Sequence, residues 1–319
     1  MAFREFFSAE EWAAHFPAGA KTSALAIGNF DGLHLGHQLI LRRVLERSRQ
    51  ENCIAAVLTF YPHPTQVLRP ADAPPLLMTL DQRLAAIAAT GLDAALVIPF
   101  DAEFAKVSPE DFVHRYAVDT MHARMVAVGA TFRFGYRQGG DVNTLIDLGK
   151  RWNFDVESVA PVVADGAVVS STAIRKDLRE GHVEEAARML GRPYALEGEI
   201  LPGTGMGRKF VVPTLNLSTQ QRLLPELGVY ATEVSVAGGN YLGATNVGMR
   251  PTFEGAHVTV ESHLLGFDET LTSGPMTVRF LSRLRDEMKF SGPETLRQQV
   301  LADIDHVKKY FLAFGRPWY

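Results

Sequence analysis

The chain has 319 residues, enough for two domains with separate cores, and its 46% hydrophobic and 21% charged residues are ordinary for a globular protein. A net charge of −4 gives no basic surplus for nucleic acid, and the single cysteine, Cys53, excludes an internal disulfide and a thiolate metal cluster. The N-terminus, Met1-Ala2-Phe3-Arg4-Glu5-Phe6, has mixed charge and no apolar core of a signal peptide; no run approaches the roughly 18 apolar residues of a membrane span, so a cytoplasmic protein is expected.

The apolar run Ala24–Ile27 leads into Gly28-Asn29-Phe30-Asp31-Gly32-Leu33-His34-Leu35-Gly36-His37 and then into the helix-like Gln38–Gln50. A strand, a glycine-rich corner and a helix form the first βα turn of a nucleotide-binding α/β domain. Gly28, Gly32 and Gly36 allow close backbone approach, and a helix start near Leu35 aims amide N–H groups at an anion. His34 and His37 are three apart, so on one helical turn they face the same way. No Gly-Lys-Ser/Thr follows, and the glycine spacing is not GxGxxG, which excludes a Walker loop and a dinucleotide fingerprint.

Ile54–Phe60 reads as a second strand, closed by Tyr61-Pro62-His63-Pro64 at the edge where open α/β sheets bind ligands; His63 contacts nucleotide there or simply occupies a turn. Thr79-Leu80-Asp81-Gln82 is a capping box ahead of a stripe of Leu84, Ile87 and Ala88. Ala94–Pro99 and Met125–Gly129 supply further strands, Ser108-Pro109-Glu110-Asp111 starts a helix, and Asp141–Trp152 forms another. This alternation predicts a mostly parallel sheet with helices on both faces. The aromatics of Thr131-Phe132-Arg133-Phe134 either roof the core or meet ligand. In Ser170-Ser171-Thr172-Ala173-Ile174-Arg175, hydroxyls cap a helix and Arg175 offers a guanidinium to phosphate.

Gly191-Arg192-Pro193 breaks a short helix, Gly181–Leu190, and the predicted domains are 1–190 and 191–319. Beyond it, alternating runs at Val229–Val236, Tyr241–Val247, Val258–Leu265 and Met276–Leu281 predict an antiparallel barrel or sandwich. A closing helix, Pro293–Phe311, carries Leu296, Val300, Ile304, Val307 and Phe311 as one apolar stripe. Gly203, Gly205 and Gly207 form a flap able to wrap phosphates. Thr214 and Asn216, on one strand face, offer hard oxygen ligands suited to Mg²⁺. Glu261 shares a strand face with Thr259 and His263.

The Gly-Asn-Phe-Asp-Gly-x-His-x-Gly-His string resembles the HxGH signature of the nucleotidylyltransferases, in the form found in bacterial FAD synthetase. Pro213-Thr214-Leu215-Asn216 behind the glycine flap resembles riboflavin kinase, a family of six-stranded antiparallel barrels, as does Val260-Glu261-Ser262-His263-Leu264-Leu265. The resemblance implies a Rossmann-like adenylyltransferase domain, then a kinase barrel with a C-terminal helix. It implies ATP as co-substrate and riboflavin, FMN and FAD as small-molecule partners, with neither nucleic acid nor membrane. It assigns ATP in the first site to Gly28, Asn29, Phe30, Asp31, Gly36, His63, Ser170, Thr172 and Arg175, with His34 and His37 in the chemistry. In the second it assigns ATP to Gly203, Gly205, Gly207, Thr214 and Asn216, Mg²⁺ to Thr214 and Asn216, and the role of base to Glu261.

An alcohol nucleophile needs a proton acceptor, whereas a phosphate, second pKa about 6, attacks unaided. Thr131 stands where the family has Asn or Asp, Gln138 where a basic residue is common, Val211-Val212 in place of Gly-Phe, and Gly266 in place of Asp. The first two leave open a riboflavin kinase with weak or lost adenylyltransferase activity; a non-catalytic flavin-binding regulator is the alternative of another class.

Overall fold

In a computed structural model the chain forms two compact units, divided in sequence between Ser171 and Thr172. The structure describes residues 2–17, 19, 22–202, 212–252, 255–313 and 315, with the backbone alone for 250–252, 255 and 256. The glycine flap of Gly203, Gly205 and Gly207 lies outside the described residues.

The first unit holds strands β1 (Arg4–Phe6), β2 (Ser23–Ile27), β3 (Ile54–Tyr61), β4 (Ala94–Pro99) and β5 (Ala123–Gly129). Two ribbon strands, β6 (Arg133–Phe134) and β7 (Gly140–Asp141), precede β8 (Asp155–Val159), and a hairpin of β9 (Val163–Ala164) and β10 (Ala167–Val168) follows. The main sheet runs β1-β4-β3-β2-β5-β8 and every pair in it is parallel. β2 is buried at all five positions, as a strand covered on both faces must be. One face presents Leu25, Ile27, Leu58 and Leu96 to a core with Trp12 and Phe112. The other presents Ala24, Ala26, Ala55 and Ala95, and these small side chains leave room for α2 (Leu35–Glu51) and α4 (Leu80–Ala88). From β2 the chain builds outward through β3 and β4, then returns to add β5 and β8 on the other side. That reversal opens a crevice at the strands' C-terminal ends. β1, a three-residue edge strand, has no counterpart in the sequence reading.

The second unit begins with α7 (Ser171–Arg179) and α8 (Val183–Leu190), the latter ended by Gly191 in the left-handed conformation. The sequence reading put its division later, at Gly191. Six strands follow: β11 (Tyr194–Leu201), β12 (Leu215–Thr219), β13 (Gly228–Val236), β14 (Gly239–Thr252), β15 (Gly255–Leu264) and β16 (Pro275–Arg285). They close into an antiparallel barrel in the order β11-β12-β15-β14-β13-β16. Glycine at 198 is demanded by this closure, because a Cβ there would lie 1.8 Å from the Ser218 carbonyl oxygen. The last helix, α9 (Pro293–Ala313), buries Ile304, Val307 and Phe311 against Ala231 and Leu265. Leu296, predicted in that stripe, is exposed instead; it lies a full turn before the contact begins.

Candidate active sites

The crevice of the first unit is built by the turn after β2. Gly28 N–H donates to the Leu58 carbonyl at 3.1 Å, continuing the ladder one residue past the strand. Phe30, Gly32 and Leu33 then take φ of +51°, +83° and +40°. Left-handed backbone at non-glycine residues costs about 1–3 kcal/mol each and persists only where its surroundings enforce it. Here they do: the Phe30 ring is wholly buried, Leu33 N–H donates to Phe30 O at 3.1 Å, and Gln38 Nε2 donates to Leu33 O at 2.8 Å.

The coiled turn delivers His34 as the N-cap of α2, where its Nδ1 accepts the His37 amide at 3.4 Å. An accepting Nδ1 leaves the His34 proton on Nε2. Gly36 permits this fold-over, since a Cβ would approach the His34 ring to 3.2 Å. The two imidazoles stack at 3.7 Å between centroids, and the Phe30 ring meets His37 edge-on at 5.3 Å. Burial, and after it the neighbouring His34 and Arg83, holds His37 well below the ordinary 6.5. His37 therefore acts as a neutral imidazole.

Other predicted residues are used locally. Both Asp31 carboxylate oxygens accept the Leu77 amide, at 3.0 and 3.2 Å, and one accepts Met78 N–H at 3.2 Å. The Asp31 carbonyl accepts Ser171 Oγ at 2.9 Å, so the start of the serine-rich segment is tied to the turn. His63 caps the short helix α3 (Pro64–Leu68): its Nδ1 accepts Thr65 N–H at 3.2 Å, and its own amide donates to Gln66 Oε1 at 3.1 Å. Phe132 and Phe134 stack on each other at 5.2 Å, and Phe134 also packs on Phe112, which makes them a roof of the core. Ser170 is half-buried; Thr172 is exposed and Arg175 buried on α7, in the second unit.

Sequence reasoning missed Arg83. It is 4% exposed on α4 and donates to the Asn29 carbonyl at 2.6 Å and the Phe60 carbonyl at 3.0 Å. Its signal was a cation one helical turn before Ile87, on the buried stripe. The Asn29 carbonyl also receives Thr59 Oγ1 at 3.4 Å, while Asn29 Oδ1 is enclosed without a partner.

In the barrel, strand register assembles the second site. Asn216 on β12 pairs with Glu261 on β15, and Glu261 pairs with Asn246 on β14, so three polar side chains form one row across three strands. All three are half-buried on the outer face. The inner face of β13, β14 and β15 carries a buried hydroxyl chain: Thr232 to Thr245 at 2.7 Å and Thr245 to Ser262 at 2.8 Å. His263, two residues after Glu261, donates through Nδ1 to the Pro213 carbonyl at 3.0 Å and so anchors the turn that presents Thr214. Glu287, which the sequence reading left without a role, accepts Met249 N–H at 2.9 Å, beyond the point where β13 stops pairing with β14. The Thr214 hydroxyl and the Asn216 amide beside a carboxylate are the hard oxygen donors that a divalent cation takes together with phosphate.

A parallel nucleotide-type sheet with paired imidazoles at its switch point, joined to a closed barrel with an amide–carboxylate row, defines a two-unit phosphoryl and nucleotidyl transferase. Residues 17–173 match the FAD synthetase family, and residues 190–311 match riboflavin kinase. The chain belongs to the family of bifunctional riboflavin kinases/FMN adenylyltransferases. It is 32% identical to the member from Buchnera aphidicola subsp. Schizaphis graminum over 91% of this chain and 94% of that one. It is 33% identical to the member from Escherichia coli (strain K12), over 90% and 92%. A crystal structure described as a macrolide-efflux protein from Streptococcus pneumoniae has the same fold, with TM-score 0.85 and 25% identity over 96% of this chain and 99% of that one. Among the described residues, no helix is long and apolar enough to cross a membrane.

Proposed function

We propose that the barrel unit transfers the γ-phosphoryl of ATP to riboflavin, giving FMN and ADP, and that the first unit transfers AMP from a second ATP to FMN, giving FAD and pyrophosphate. One contrast carries this reading. Asp31, the acid of the glycine-rich turn, turns its carboxylate to the Leu77 and Met78 amides, whereas Glu261 lies in a cross-strand row with the hard oxygen donor Asn216. A carboxylate base stands where a hydroxyl must react, and imidazoles stand where a phosphate already can.

In the kinase step Glu261 accepts the proton of the ribityl 5′-hydroxyl as its oxygen attacks phosphorus, an effect worth about 10²–10⁴ in rate. Thr214 and Asn216 would hold Mg²⁺, which would neutralise charge on the phosphates. By the family likeness, Gly203, Gly205 and Gly207 belong to the same ATP site. In the adenylyl step the FMN phosphate attacks the α-phosphorus of ATP and pyrophosphate leaves. His34 and His37 donate hydrogen bonds as charge develops, Gly28, Asn29, Phe30 and Gly36 line the nucleotide, and Ser170, Thr172 and Arg175 take phosphate. Asp31 and His63 shape the pocket through the backbone contacts described above. Dependence on ATP supports a cytoplasmic site of action.

The test follows FMN and FAD separately from riboflavin, ATP and Mg²⁺. His34→Ala abolishes FAD formation and spares FMN formation; Glu261→Gln does the reverse. Either step surviving its own substitution within about threefold, well short of the factor expected of a general base or donor, rejects that assignment.

A further inference from the structure

We propose that Arg83 is a positioning residue of the adenylyl-transfer site, holding the two strand ends that frame the crevice and fixing a positive charge beneath the ATP phosphates. The proposal rests on the adenylyl-transfer reading of the first unit and adds to it a residue that none of the motifs contains.

Arg83 fastens Asn29, two residues past β2, to Phe60, next to last in β3, through separate arms of one guanidinium at 2.6 and 3.0 Å. These strand ends lead to His34 and His37 on one side and to His63 on the other. The guanidinium is 4% exposed, and among the described residues no carboxylate forms an ion pair with it. Asp31 is near enough to favour its charge, yet the Asp31 carboxylate is already engaged by the Leu77 and Met78 amides. A cation removed from water and bonded only to carbonyls is costly unless something neutralises it.

Around this turn three enclosed polar atoms have no partner among the described residues: Arg83 Nε, Asn29 Oδ1 and His37 Nδ1. Of these, Arg83 Nε is a donor, and a polyanion bound in the crevice adds counter-charge to that of Asp31. The charged and titratable groups here are His34 and His37 from α2, Asp31 from the turn, Tyr61 from the end of β3, and Arg83 itself. Within that set Arg83 has a second effect. Burial first, then His34, holds down the proton affinity of His37, and the Arg83 charge adds to them, so the imidazole stays neutral while the site stays positive.

The experiment compares Arg83→Met, of similar length and neutral, with Arg83→Lys, which keeps the charge and loses the fork. FAD formation from FMN and ATP is measured beside FMN formation from riboflavin in the same full-length preparation, the latter reporting an intact chain. Arg83→Met is expected to lower kcat/KM for ATP in FAD formation roughly tenfold or more and to move the acid limb of its pH profile upward, as His37 regains its proton affinity. Arg83→Lys is expected to recover most of the rate and to leave the limb in place. Two results overturn the proposal: Arg83→Met within threefold of the parent, or Arg83→Lys as impaired as Arg83→Met with the pH profile unmoved. Should Arg83→Met also lose FMN formation, the Lys variant decides. The underlying reading fails separately, by FAD formation persisting in His34→Ala.

Discussion

The imidazoles of His34 and His37 lie face to face, 3.7 Å between ring centroids and 17° from parallel. Two imidazolium ions cannot share that contact, and burial, His34 and Arg83 together hold His37 well below 6.5. His37 therefore stays neutral as pH falls through 6.5. FAD formation is expected to show a single acid limb, that of the FMN phosphate with its second pKa of about 6, and a kcat/KM profile that falls with two protons below pH 6.5 would contradict this. Linkage gives the matching sign for stability. The unfolded chain takes up a proton at His37 near 6.5 and the folded chain does not, so stability present above 6.5 is lost as pH drops toward the folded value. Denaturant midpoints of the first unit, followed across that window in the parent and in His37→Phe, report the difference.

His263 anchors the turn presenting Thr214 through one hydrogen bond of 3.0 Å to Pro213. Losing such a bond is worth on the order of 1 kcal/mol, about fivefold in an equilibrium. His263→Ala is expected to raise the Mg²⁺ concentration that half-saturates FMN formation by about that factor while FAD formation from FMN keeps its own dependence. An unchanged Mg²⁺ titration refutes the anchoring role.

Gly248 follows Asn246 by two residues on β14 and is buried beneath the Asn246 and Glu287 side chains. A Cβ there would come within 2.5 Å of Asn246 Nδ2 and 2.7 Å of Glu287 Oε1. Both are ends of flexible side chains, so Gly248→Ala should fold, with Asn246 pushed off the row it shares with Glu261. Displacements of about 1 Å near reacting groups can cost roughly 10²-fold. FMN formation is expected to fall by that order in a chain that melts like the parent; normal turnover would show that the Asn246 end of the row is dispensable.

The last helix is pinned to β16 by Arg285, which donates to both oxygens of buried Asp303 at 2.9 and 2.6 Å. Arg285→Ala strands a buried carboxylate, and about 3–5 kcal/mol should be lost from unfolding of the second unit. Arg285→Met combined with Asp303→Leu removes both charges and should restore most of it. A double variant as unstable as the single one would disprove this account.

Hydrophobic period and turn chemistry revealed most of the architecture. The buried runs at Ala24–Ile27 and Ile54–Phe60, the capping box at Thr79 and the proline-led start after Ser108 all appear as local patterns, and the structure shows each element. β1 escaped notice because three residues at an edge carry no period. In the sites, glycines and histidines announced the first turn, but which groups face a ligand depends on partners far along the chain. Asp31 meets Leu77 and Met78, and Arg83 reaches Asn29 and Phe60; the local pattern marks Arg83 as a cation on a buried stripe but names the partners of neither residue. Glu261 stood out beside Asn216 only by family likeness, since cross-strand register is a property of the closed barrel.

That register makes the second site sensitive to errors of a single residue. Along β15, Val260, Ser262 and Leu264 are buried while Thr259, Glu261 and His263 alternate with them on the outer side. One residue inserted ahead of Glu261 would swap the two sets, sending the carboxylate toward the hydroxyl chain and bringing Ser262 to the surface. The chemistry of the barrel is thus encoded in a count of residues as much as in their identity, and a lengthened β15 would silence it with every functional side chain still present.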